Sequence, residues 1–348
     1  MPLEYKQSNQ PINFPPPPPV GDRLIYDLLW RGRCLPMVAF AFELGVFDRL
    51  SPAPLSTIDL AEWLGVEPRA AEAMTGMLAA AGFLQADSNG KFSLTETSKT
   101  YLCSNSPHCY EYLISYPLPE LETLRKIFEN GGALEKTTMD EMPELSSEDA
   151  RPFIRDMHRI TLPAASALGA HPIWKQVNQL LDVGGGSGTL SCGIAKHHPA
   201  IQCTIFDLPG VCELAQENIN QYQMHDQVKT VSGDMFTSDW PEKHDGVLFG
   251  NIFHDWELER CTELAAKTFH ALPPGGSIYL HEMLLNEKKD GPFLAACFSV
   301  NMLLYERGKQ FTLSEIRTLL EDVGFVEVGI IHTFSYYSLI SARKPARR

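Results

Sequence analysis

The chain has 348 residues, 44% of them apolar and 21% charged, an ordinary composition for a globular protein of two domains. Against 29 Lys and Arg stand 43 Asp and Glu, a formal net charge of −14, which argues against a surface built to hold nucleic-acid phosphates. No apolar run approaches the ~20 residues that span a bilayer, and Met1 to Gln10 contain no apolar signal-peptide centre.

Eight cysteines are scattered without a CxxC pair or a Cys/His ligand array, so no metal site is expected from them and reduced thiols in a cytoplasmic protein are. Residues 1–20 hold Pro2, Pro11 and the run Pro15 to Pro19. Consecutive prolines cannot join a helix or a sheet ladder, which predicts a polyproline II lead-in or a disordered tail.

Residues 21–105 read as short helices and a small β-element. Arg23 to Leu29 and Met37 to Leu44 carry apolar residues at helical spacing, and Ser56-Thr57-Ile58-Asp59 is a capping box opening a helix that stops at Gly65. Pro68 starts the next helix, which Gly82 ends; Phe83 to Ala86 and Lys91 to Leu94 then predict a hairpin around Asp87-Ser88-Asn89-Gly90. The order is winged-helix-like. The second helix offers only Arg69 against Glu72, so it is a structural or dimerising module and not a DNA reader. Residues 106–175 read as a helical linker, with Leu113, Leu118, Leu121, Leu124, Ile127 and Phe128 as its apolar positions.

From residue 176 to 348 strands alternate with helices, the pattern of a parallel sheet with crossovers. Strands are predicted at 180–183, 202–206, 229–232, 246–249 and 277–282, and helices at 190–197, 211–221 and 257–271. Two last strands near 326–334 and 336–342 follow each other without a helix and should form an antiparallel edge.

Leu180 to Val183 run into Gly184-Gly185-Gly186-Ser187-Gly188 and then a helix. Glycines let backbone approach a ligand closely, and the helix start presents free N–H groups. Thr189 stands where the dinucleotide fingerprint requires its third glycine, which counts against NAD. Asp207 closes the second strand, where a carboxylate can accept hydrogen bonds from both hydroxyls of a ribose.

With these residues in view the chain resembles the class I S-adenosylmethionine-dependent methyltransferases, and more narrowly the small-molecule O-methyltransferases related to the acetylserotonin and caffeate enzymes. The resemblance covers roughly residues 25–345 and rests on LDVGGGSG (181–188), FDLPGV (206–211), GDMF (233–236), HDW (254–256) and ALPPGG (271–276). It implies an α/β fold: a Rossmann-like seven-stranded sheet behind an N-terminal, mainly helical, winged-helix-like dimerisation domain, hence a homodimer. It implies S-adenosylmethionine as cofactor, with Gly184 at its methionyl part, Asp207 on the ribose, Gly233, Asp234 and Met235 around the adenine, and Asn251 as a further contact. His254 would be the general base and Glu282 the carboxylate that orients it. His281, its strand neighbour, should face the other way and be structural. Asp255 and Trp256 are read as capping and packing the following helix. Phe153 and Met157 fall at positions that line the acceptor pocket, and Gln310 stands where plant relatives carry a second supporting glutamate.

The expected activity is O-methylation of a phenol or enol on a small, secondary-metabolite acceptor. Two alternatives stay beside it: C-methylation of an α-keto acid with a metal held by His254, Asp255 and Glu306, and a methyltransferase-like cyclase.

Overall fold

The computed structural model describes residues 23–32, 34–111, 121–129 and 136–346, so the Pro-rich run, Leu113 and Leu118 lie outside the described residues. Two compact units fall within residues 1–115 and 116–348.

In the first unit the helices are α1 (Arg23–Arg31), α2 (Cys34–Glu43) and α3 (Val46–Leu50), followed by strand β1 (Leu55–Ser56), α4 (Thr57–Leu64) and α5 (Pro68–Ala80). Strands β2 (Leu84–Ala86) and β3 (Lys91–Leu94) and helix α6 (Glu96–Tyr101) complete it. The capping box forms as its sequence dictates: Ser56 Oγ accepts from the Asp59 N–H and the Asp59 carboxylate accepts from the Ser56 N–H, while Gly65 closes α4 in the left-handed region. The three strands make a small sheet in the order β1-β3-β2. Val46, Phe47, Leu60, Leu78 and Leu94 form the core beneath it. Leu24, Ile25 and Leu28 of α1 are exposed.

The second unit begins with α7 (Leu121–Glu129), α8 (Thr138–Glu141) and the long α9 (Ser147–Gly169). It continues as β4 (Gln179–Val183), α10 (Thr189–His197), β5 (Gln202–Asp207), α11 (Pro209–Gln221), β6 (Val228–Ser232), β7 (Gly246–Gly250), α12 (Leu258–Ala271) and β8 (Ser277–Met283). Helices α13 (Phe293–Tyr305) and α14 (Leu313–Val323) and strands β9 (Val326–Phe334) and β10 (Tyr337–Arg343) close the chain. The seven strands order as β6-β5-β4-β7-β8-β10-β9. Strands β6, β5, β4, β7 and β8 pair in parallel in that order, and β10 lies antiparallel between β8 and β9.

Central strands are apolar on both faces because helices cover both. Leu181, Val183, Val247 and Phe249 pack toward α12 and α14. Leu180, Cys203, Ile205 and Leu248 pack the other way, toward α10 and α11. The chain leaves β4 for β5 and β6 on one side and returns for β7 and β8 on the other. That reversal opens a crevice at the carboxyl ends of β4 and β7, where doubly wound sheets take ligands.

Helix α9 crosses α10 with backbones in contact. A Cβ at Gly169 would strike the Gly193 carbonyl, and one at Gly193 would lie 2.7 Å from the Ala165 carbonyl oxygen. This close crossing sets α9 over the crevice. No helix among the described residues is long and apolar enough to cross a membrane.

Candidate active site

The crevice holds a cavity of about 360 Å³, lined from β4 and the glycine turn, β5, the 233–236 loop, the 250–256 loop, α8, α9 and α13. Every residue that the sequence singled out for the cofactor (Gly184, Asp207, Gly233, Asp234, Met235, Asn251) lines it, as do Phe153, Met157 and His254.

At one end the glycine turn does what its composition permits. Gly184 (φ 67°) and Gly186 (φ 56°) both adopt backbone that side chains rarely take. A Cβ on Gly184 would sit 2.5 Å from Ile252 Cδ1, whereas one on Gly186 would enter open space. The Asp207 carboxylate accepts from the Gly186 N–H (2.8 Å) and from the Leu208 N–H (2.7 Å). Burial pushes its pKa up to about 6, against those two N–H groups. A carboxylate has about four acceptor sites, so lone pairs remain for a ligand.

Asp182, at the end of β4, accepts from Ser191 Oγ (2.6 Å), and burial pushes it up to about 7. Sequence reasoning passed over this residue, because an Asp inside an apolar strand gives no spacing signal. Asp234 is partly committed to its own loop: Oδ1 accepts from the N–H groups of Phe236 (2.8 Å) and Thr237 (2.9 Å). Asn251 is held at φ 57° with its Oδ1 buried and without a partner.

At the other end stand His254 and Glu282. The 3-10 turn Phe253–Asp255 follows β7 and brings the imidazole beside the end of β8. His254 Nδ1 is 2.6 Å from Glu282 Oε2, and Glu282 Oε1 accepts from the N–H groups of Ile252 (3.2 Å) and Phe253 (3.0 Å). One carboxylate thus fixes both the ring and the loop that carries it. His281 does face away: Nε2 is 3.0 Å from Thr333 Oγ1, its ring stacks on Tyr337, and burial depresses its pKa to about 3.

The expectation for Asp255 needs correction. It does not cap α12, whose N-cap is Glu257 without a side-chain cap bond. The 3-10 turn shifts the helix start by two residues and turns the Asp255 carboxylate inward, 3.4 Å from His254 Nε2. Trp256 does pack, edge-on against Phe236. Burial alone would lower the His254 pKa, but Glu282, then Asp255, overcome it and raise the imidazole to about 9. Burial pushes Asp255 up to about 7 against the pull of His254.

Helix α13, which the sequence reading did not predict, supplies Phe298, Asn301 and Tyr305 to the lining, and Glu306 follows at its end. Phe298 meets the His254 ring edge to face at 5.5 Å. Gln310 is 1% exposed, and neither polar atom of its side chain has a partner. Among the described residues no group of three His, Cys, Asp or Glu is arranged to hold a metal ion.

A doubly wound, mostly parallel sheet with an acid at the end of its second strand, a glycine turn and a carboxylate-held histidine defines a class I methyltransferase. The chain matches the O-methyltransferase domain family over residues 137–326 and the O-methyltransferase dimerisation domain family over residues 29–104. It belongs to the O-methyltransferase family. It is 30% identical to 3-hydroxy-5-methyl-1-naphthoate 3-O-methyltransferase of Streptomyces sahachiroi over 329 residues, covering 91% of this chain and 93% of that one. It is 28% identical to acetylserotonin O-methyltransferase of Bos taurus over 343 residues, covering 87% and 92%. The crystal structure of human N-acetylserotonin methyltransferase in complex with SAM superposes with a TM-score of 0.75 at 25% identity, covering 93% of this chain and 97% of that one.

Proposed function

We propose that this enzyme transfers a methyl group from S-adenosylmethionine to a phenolic or enolic hydroxyl of a small, secondary-metabolite acceptor, with His254 as general base. The observation that carries this reading is the 2.6 Å contact of His254 Nδ1 with Glu282 at the far end of the cavity that Asp207 and the glycine turn open.

The residues present fit the cofactor. Asp207 keeps free lone pairs for two ribose hydroxyls, Gly186 leaves open space, and the unpartnered Asn251 Oδ1 awaits a donor. Gly184, Gly233, Asp234 and Met235 would hold the methionyl and adenine parts. When bound, S-adenosylmethionine supplies an electrophilic methyl on a sulfonium centre. In the neutral imidazole, the form that gains as pH rises toward about 9, Glu282 keeps the proton on Nδ1, and Nε2, 3.4 Å from Asp255, takes the acceptor's hydroxyl proton. Phe153 and Met157 give the acceptor an apolar wall, and the crevice brings oxygen and methyl into near-attack geometry, the main source of rate in such a transfer.

The reading includes a homodimer built on the N-terminal unit, supported by the dimerisation-domain match and by exposed Leu24, Ile25 and Leu28. Residues 21–105 form the dimerisation domain, 106–175 the linker and pocket region, and 176–348 the cofactor-binding domain.

The test is incubation with isotopically labelled methyl donor and a panel of phenols, naphthols and keto acids. Label on an acceptor oxygen supports the proposal. Tight donor binding with no transfer, or label only on carbon, overturns it.

A further inference from the structure

The lining of the cavity contains Asp182, Asp207 and Asp234 at the donor end and Asp255 and Glu306 beside His254 at the acceptor end, yet no Lys or Arg among the described residues. Arg307, next in sequence to Glu306, is engaged by both carboxylate oxygens of Asp140, at 2.9 and 2.6 Å.

Glu306 is 7% exposed and accepts from the Met139 N–H at 3.4 Å and from the Thr138 hydroxyl. The Thr137 side chain adds a third bond, and of about four acceptor sites on a carboxylate one remains on this cavity-lining group. An anionic acceptor seated here would be stripped of water beside two carboxylates, with no Lys or Arg among the described lining residues to pair with it. A substituent that donates a hydrogen bond, or an ammonium group, meets a partner instead.

We propose that Glu306 makes the acceptor site selective for hydroxyaromatic molecules whose second polar group is a hydrogen-bond donor or a cation, and against those carrying a carboxylate. The inference rests on the methyl-transfer reading above. It separates this chain from its relative named for a naphthoate, so the acceptor class in that name does not carry over.

The experiment uses the full chain, S-adenosylmethionine and matched naphthols bearing a hydroxymethyl, an aminomethyl or a carboxylate group at one ring position. The carboxylate compound is expected to show kcat/KM about 10-fold or more below the other two. Glu306→Gln, which keeps an oxygen for the Met139 N–H, is expected to narrow that gap to about 3-fold by raising the carboxylate compound. If Glu306 only anchors residues 138–139, the variant lowers all three acceptors by one factor and the ratio stays, which overturns the proposal. Competition by the corresponding methoxy products against the wild-type enzyme needs no variant: a carboxylate product that binds as well as the hydroxymethyl one also overturns it. Equal transfer to all three acceptors defeats this inference alone. Transfer to none, with the donor bound, defeats the methyl-transfer reading and this inference with it.

Discussion

Gly308 lies directly against the main chain of His254: a Cβ built on Gly308 would collide with the His254 carbonyl and come within 2.6 Å of the Trp256 nitrogen. The segment after α13 therefore acts as a backstop for the loop that carries the histidine. Because the neighbour is backbone, it cannot move aside by a rotamer change. Gly308→Ala is expected to push the loop toward the cavity, lowering kcat by about 10- to 100-fold and stability by about 1–3 kcal/mol. Donor affinity should stay within about 2-fold, since Asp207 and the glycine turn lie at the other end. Calorimetric donor binding beside steady-state kinetics checks this, and an unchanged kcat would refute the backstop role.

The charge state of His254 sets the pH dependence. Its folded-state pKa is raised to about 9, above the ordinary ~6.5, so the stability drawn from the imidazolium with its carboxylates is complete below about 6.5 and is lost as pH rises through about 9. The base form gains over the same window. Log kcat/KM is expected to climb with pH toward 9, and Asp255→Asn, which removes one of the carboxylates beside the ring, should move the climb to lower pH by about one unit. Acceptor ionisation is the same in both proteins, so their difference isolates the histidine. His254→Ala should bind the donor normally and lose about 100- to 10,000-fold in turnover.

In the proposed reading Asp207 holds the ribose through its ionised form. Burial raises its pKa to about 6, so donor affinity is expected to weaken as pH falls through about 6, when the carboxyl gains a proton and loses acceptor capacity. Asp207→Ala should abolish measurable binding, since two ribose hydroxyls lose their acceptor and the Gly186 and Leu208 N–H groups lose theirs. Titration calorimetry between pH 5 and 8, values chosen to bracket that pKa, checks both. Flat affinity across the range would contradict the assignment.

Much of this site was legible because local rules and tertiary demand agree. The apolar strand into Gly184–Gly188 and the acid ending β5 follow from position along a doubly wound chain, whereas His254 was singled out by the resemblance of HDW (254–256) to the family. Legibility failed where an element lacks a periodic signal. Helix α13 is apolar on nearly every side, so Phe298, Asn301 and Glu306 had no helical frame in the sequence. Asp255 stands just before the helix at 258–271 and so mimics a helix cap, but the extra 3-10 turn at 253–255 takes it inward. Asp182 was silent for the opposite reason: its neighbours all say core, and only the structure shows Ser191 beneath it.

One contact chain links α9 to the glycine turn and carries the last prediction. Tyr222 Oη is 2.9 Å from His158 Nε2, His158 Nδ1 is 2.7 Å from Thr189 Oγ1, and Thr189 Oγ1 is 2.6 Å from Ser187 Oγ. Burial lowers the His158 pKa, which favours a neutral ring that donates from one nitrogen and accepts at the other, as a chain of hydroxyls requires. Ser187 and Thr189 both line the cavity, so the chain fixes two hydroxyls at the end of the cavity where the donor is proposed to bind. His158→Phe keeps a ring to stack on Tyr222 but removes the bond to Thr189. Donor affinity is expected to fall about 5- to 10-fold, which corresponds to about 1 kcal/mol, while kcat at saturating donor changes little. A fall in kcat without a change in donor affinity would instead place His158 in the chemistry of transfer.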